Sequence, residues 1–192
     1  MGMERSNQGD IFILGKKVPN PQIIEGIGYT SQSDALYTDL SIEENMKFYC
    51  RLYKVPKNER KSRIEKCLGL VNLNEDDKKI VSNFSGGMKR RLSIDISLIH
   101  NPKILILDEP TVGLDPLLRK QIWQGVYRFK EKGVTILITT HVMDEASYCD
   151  RLALLRNGRC ICVGEPDKII EDNECNTLED VFLKLGGDVY ED

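Results

Sequence analysis

Four aliphatic residues in succession, Ile104-Leu105-Ile106-Leu107, run straight into Asp108-Glu109-Pro110. A run without polar alternation suits a parallel strand covered on both faces. Val134 to Ile138 has the same character. Between the two runs, Pro116 opens a segment with Ile122, Val126 and Phe129 at helical spacing, and Gly133 closes it. Strand, helix and strand in this order predict an α/β fold with a mainly parallel sheet, in which chemistry gathers at the carboxyl ends of the strands. Asp108, Glu109 and His141 all fall at such ends.

The remaining elements follow from similar signals. Residues 11 to 14 and 26 to 29 read as strands, the second leading into the polar loop that begins Thr30-Ser31-Gln32. Ser41 with Glu44 three residues on is a capping box that opens a helix through Met46, Phe48, Tyr49 and Leu52. Lys57 to Val71 forms a second helix, apolar at Ile64, Cys67, Leu68 and Val71. Ser85-Gly86-Gly87 precedes a third, with Leu92, Ile96 and Ile99 on its apolar face and Lys89-Arg90-Arg91 placed in that helix with Arg90 and Arg91 on a solvated or interface face. Asn157-Gly158 between Arg151–Arg156 and Arg159–Val163 is a strong hairpin signal. Thr177 opens a final amphipathic helix with Val181, Phe182 and Leu185 inward.

Composition narrows the class. Charged residues make up 30% of the 192 positions, yet the net charge is only -3, which disfavours DNA or RNA as a ligand. No stretch reaches the 18 or more apolar residues that span a bilayer. The 6 cysteines form no C-x-x-C pair, so reduced thiols are expected and a structural metal is not.

The strand-end carboxylates have two readings. One carboxylate can hold Mg²⁺ while its neighbour orients a water toward a phosphate, or the strand simply turns with acidic residues. Ser85-Gly86-Gly87 can meet a phosphate with free N–H groups or act as an ordinary N-cap. His141 can act on a ligand or stand in a turn. A glycine-rich phosphate loop of pattern G-x-x-x-x-G-K-[ST] is absent from the sequence: Gly15-Lys16 has Asp10 where the first glycine belongs and Lys17 where Ser or Thr belongs.

Order and spacing point further. Gln32, then Asn83-Phe84-Ser85-Gly86-Gly87-Met88-Lys89-Arg90-Arg91, then Ile104 to Thr111, then Gly113-Leu114-Asp115-Pro116, then Thr139-Thr140-His141 together resemble the ATP-binding cassette (ABC) ATPases, from about Gly9 to Pro166. The resemblance implies a P-loop NTPase-like core with a helical signature subdomain over about 38–100, a partial ATPase domain over 1–166 and a C-terminal helical extension over 167–192. It implies ATP and Mg²⁺ as ligands. Gln32 resembles the Q-loop glutamine that touches the metal and the attacking water, and Asp108 the Walker B metal ligand. Glu109 resembles the catalytic carboxylate and His141 the switch histidine at the γ-phosphate. Ser85, Gly86, Gly87 and Met88 resemble the signature that binds nucleotide held by the opposing subunit, Met88 standing where glutamine is commoner, and Asp115 resembles the aspartate at the dimer seam.

The run from Thr140 to Ala146, the hairpin and the ending Thr177 to Leu183 are similar to ATPases of ABC-2-type exporters. The expected partners are a transmembrane permease subunit or domain and a second ABC ATPase domain in a head-to-tail dimer, with no nucleic acid, at the cytoplasmic face of a membrane. The missing phosphate loop leads to the expectation of an N-terminally truncated cassette, inactive alone. The alternative is a non-catalytic regulatory subunit that lends its signature to an intact ATPase.

Overall fold

The computed structural model describes residues 6–32, 35–69 and 79–187. Two compact units divide the chain, Met1–Thr139 and Thr140–Asp192.

The first unit is built on a parallel sheet of order β3-β4-β5, with β3 at Ile27–Thr30, β4 at Ile104–Asp108 and β5 at Thr135–Thr139. Ahead of it, β1 (Phe12–Ile13) and β2 (Lys16–Lys17) form a small antiparallel hairpin, and α1 (Pro21–Ile24) follows. The apolar run at 11 to 14 thus yields only a two-residue strand, and Ile11, Phe12 and Leu14 are exposed.

Register ties the sheet together residue by residue. Gly28 pairs with Leu105 and Leu105 with Ile136, while Tyr29 pairs with Ile106 and Ile106 with Leu137. Successive side chains point to opposite faces, so these rows lie on opposite sides. Leu105 and Leu107 are fully buried, whereas Tyr29 and Leu137 are 41% and 57% exposed. The expectation of strands buried on both faces therefore fails for the second face, and most of all for β5. That strand lies at the sheet's edge and shows its alternate residues to solvent.

Helices carry the rest of this unit. Ser41 and Glu44 form the reciprocal capping box at the start of α2 (Ile42–Leu52). α3 spans Arg60–Leu68 and buries Ile64, Cys67 and Leu68, and the expected helix end at Val71 lies outside the described residues. α4 (Gly86–Leu98) is buried along almost its whole length, Ser93, Asp95 and Ser97 included. It lies so close to β3 that a Cβ on Gly28 would stand 2.2 Å from the Ser97 carbonyl oxygen. Only a residue without a side chain permits that approach. α5 (Pro116–Glu131) supplies the crossover from β4 to β5 and buries Ile122, Trp123, Val126 and Phe129.

In the second unit, α6 (Met143–Ala146) precedes the antiparallel hairpin of β6 (Leu152–Arg156) and β7 (Arg159–Gly164). The turn residues Asn157 and Gly158 both have positive φ, 49° and 75°, as a tight hairpin requires. α7 (Pro166–Asp172) and α8 (Leu178–Gly187) complete a small core of Leu154, Ile169, Leu178 and Val181. Among the described residues no helix is long and apolar enough to cross a membrane.

Candidate functional site

Parallel pairing brings the ends of β4 and β5 side by side, with Asp108 opposite Thr139. The Thr139 hydroxyl donates to Asp108 Oδ1. One residue on, the Glu109 N–H is shared between the Thr139 carbonyl at 3.0 Å and the Thr139 hydroxyl at 3.3 Å. Glu109 has φ +46°, a conformation that costs free energy in a non-glycine residue and is held by its surroundings. The chain turns there, and both carboxylates sit half-buried at the rim of the sheet.

β3 delivers the third member. Two residues beyond its end, Gln32 donates from Nε2 to Glu109 Oε2 over a long 3.4 Å. That orientation leaves the Gln32 Oε1 for a cation or a water. Asp108, Glu109 and Gln32 are thus gathered in one place by two strands adjacent in the sheet.

The donor set fits Mg²⁺. It consists of carboxylate and amide oxygens, and among the described residues no three His, Cys, Asp or Glu side chains group as a metal cluster. Mg²⁺ is usually held by one or two carboxylates together with waters and substrate phosphates, which is what Asp108 and its neighbours can offer.

Ser85 is an N-cap: its Oγ accepts the Met88 N–H at 3.3 Å, and its carbonyl accepts from Lys89. The first-turn N–H groups of Gly86 and Gly87 have no partner among the described residues. They stand at the positive end of a 13-residue helix, which favours an anion. A Cβ on Gly87 would meet the Leu118 side chain at 2.4 Å, so this first turn also packs against α5. Asp115 caps α5, accepting from Leu117 and Leu118 at 2.9 and 3.0 Å. His141 is exposed and belongs to the second unit, two residues past β5 in the chain.

One expectation is corrected. Arg90 does not lie on a solvated face but is 6% exposed, its guanidinium spent on backbone carbonyls. The neighbouring Lys89 and Arg91 mask this in the sequence, because three basic residues in a row look like a wet surface. Thr139 was also missed as a partner of the carboxylates. Its position opposite Asp108 in a parallel pair is the signal that could have found it.

The family model described as ABC transporter matches residues 1–112, more than half of the chain. The chain belongs to the ABC transporter family. It is 38% identical to ABC transporter G family member 23 of Dictyostelium discoideum, over 96% of this chain and 27% of that protein. It is 41% identical to Nod factor export ATP-binding protein I of Neorhizobium galegae, over 90% of this chain and 50% of that one. The chain therefore spans between about a quarter and half of these curated relatives. Among solved structures, cbiO1 of Clostridium perfringens, described as part of the ABC transporter complex cbiONQ, superposes with a TM-score of 0.80 at 30% identity, covering 96% of this chain and 76% of that one. The fold is that of the ABC ATPases, an α/β core with a parallel sheet, as the strand and helix signals predict.

Proposed function

We propose that this ABC chain is the nucleotide-binding part of an exporter of the ABC-2 type, coupling ATP binding and hydrolysis to movement of a cargo selected by a transmembrane permease partner. The observation that carries this reading is the joint placement of Asp108, Glu109 and Gln32 at the carboxyl rim of one parallel sheet. The export named for the Neorhizobium relative supports the direction. The protein would act at the cytoplasmic face of a membrane, as one of two cassettes paired head to tail.

In the proposed chemistry Mg²⁺, when bound, neutralises charge on the transferring phosphoryl oxygens. Asp108 Oδ2 would hold the ion, because Oδ1 already accepts from Thr139. Glu109 would orient the attacking water and draw its proton, with Gln32 steadying both the water and the ion. His141 would contact the γ-phosphate. Ser85, Gly86, Gly87 and Met88 would meet nucleotide held by the opposing cassette, through the uncommitted Gly86 and Gly87 N–H groups, and Asp115 would stand at the seam.

A second reading makes the chain a regulatory subunit that donates only this signature face. It draws support from the Gly86 and Gly87 N–H pair at the start of α4, which has no partner among the described residues. Both readings are tested by equilibrium binding of fluorescent ATP with Mg²⁺, with circular dichroism confirming the fold. The folded chain is measured alone and mixed with an ABC ATPase that contains an intact phosphate loop. Binding that appears in either setting and is lost in Ser85→Arg supports a nucleotide role. No binding by the folded chain in either setting contradicts both readings.

A further inference from the structure

Arg90, in the second turn of α4, reaches out of its helix to three backbone oxygens. Its Nε donates to the Pro110 carbonyl at 3.0 Å, Nη2 to the Asp108 carbonyl at 2.6 Å, and Nη1 to the Ser31 carbonyl. These carbonyls lie beside the residues gathered at the rim. Ser31 immediately precedes Gln32, and Asp108 and Pro110 flank Glu109 on either side.

The chemistry of the side chain makes this arrangement informative. A guanidinium presents five N–H donors in a rigid planar fork and cannot lose its proton in a protein. Three carbonyls bonded to one such plane cannot move independently of each other or of the helix that carries it. Glu109, with its positive φ, is suspended between two of the clamped carbonyls, while its N–H is fixed by Thr139. The long contact between Gln32 and Glu109 spans the two loops that the same guanidinium joins. Burial strengthens the arrangement, since Arg90 is 6% exposed and water does not compete freely for its donors.

We propose that Arg90 is a positioning residue: it ties the helix that begins at Gly86 to both the Gln32 loop and the Asp108–Glu109 turn, so that a displacement of α4 moves the two loops together. Its consequence for hydrolysis rests on the function proposed above, but the mechanical tie does not.

Hydrogen–deuterium exchange on the full chain tests the tie directly. Arg90→Met keeps the apolar stem and removes the fork, and Arg90→Lys keeps the charge but can satisfy fewer carbonyls. In Arg90→Met, exchange should rise by about tenfold or more in peptides covering 29–32 and 109–113, with α2 and the Thr140–Asp192 unit unchanged. Arg90→Lys should give a smaller rise in the same two places. If Arg90→Met fails to fold, Arg90→Lys carries the test by itself. A uniform rise over α2, α3 and α5, or no rise in the two loops, overturns the proposal.

A second readout addresses catalysis in the full protein that carries these residues. Arg90→Lys should lower kcat by about tenfold while KM for ATP stays within about threefold, because orientation and not binding is lost. Unchanged kcat overturns the catalytic consequence. A wild-type protein without turnover refutes the proposed function instead, and the exchange result still decides the tie.

Discussion

The Thr139 hydroxyl bridges two strand ends, donating to Asp108 Oδ1 and accepting the Glu109 N–H at 3.3 Å. If Asp108 holds the metal as proposed, a partner of this kind fixes its rotamer, and loss of such partners typically costs 10- to 100-fold in metal affinity or activity. Thr139→Val keeps the shape and removes the donor. It should raise the Mg²⁺ concentration needed for half-maximal ATP hydrolysis by about tenfold, while Thr139→Ser stays within about threefold of wild type. A Mg²⁺ titration that is identical in Thr139→Val contradicts the assignment.

Gly28 reports on the packing behind the site. A methyl there would stand 2.2 Å from the Ser97 carbonyl oxygen and 3.1 Å from Leu105 Cδ1. Because the obstacle is helix backbone, β3 and α4 must separate to admit it. Overpacking of this kind costs about 1–3 kcal/mol. Gly28→Ala should therefore lower the urea midpoint by the corresponding amount, and an unchanged midpoint means that α4 does not press on β3 as described.

Asp95 gives the stability a dependence on pH. It is fully buried in α4, and neither carboxyl oxygen has a hydrogen-bond partner among the described residues. Burial holds its pKa well above the ordinary 3.8, against a smaller opposing pull from Arg91. Below that ordinary value the carboxyl is protonated in folded and unfolded chains alike. Above it the unfolded chain releases the proton while the folded chain keeps it, so stability falls as pH rises toward the folded pKa. Asp95→Asn removes this linkage. Its advantage over wild type should grow with pH, by up to about 1.4 kcal/mol per pH unit inside the window. Urea unfolding at pH 5, 6 and 7 measures it, and a constant difference contradicts a buried neutral acid.

Much of this molecule is legible in the sequence where one physical signal acts alone. The capping box at Ser41 and Glu44 depends on two side chains and their own helix, and it forms as spelled. Asn157-Gly158 specifies a turn conformation, and the hairpin follows. Helical spacing of Ile122, Val126 and Phe129 puts all three in the core. Asp108 and Glu109 could be placed at a strand end because the four-residue aliphatic run before them, bounded by Asn101-Pro102 and Pro110, is too short for a helix.

Illegible features depend on neighbours far away in the chain. Leu137 looks buried by composition but shares a row with the exposed Tyr29 on the less covered face of the sheet, which only the register reveals. Asp95 and Arg90 look like surface residues, yet α4 is enclosed on nearly every side. One becomes a buried acid and the other a clamp on residues 18 and 20 positions downstream and 59 upstream. The capping of α5 by Asp115 likewise needed the geometry.

Steady-state hydrolysis of Mg²⁺-ATP by the full protein that carries these residues, wild type beside Glu109→Gln, measures the central claim most directly. ATP binding is followed in the same preparations. The amide keeps the size of the side chain and removes the carboxylate proposed as the base, so turnover should fall by about 10²- to 10⁴-fold with ATP affinity largely intact. Turnover equal to wild type in Glu109→Gln would contradict the account.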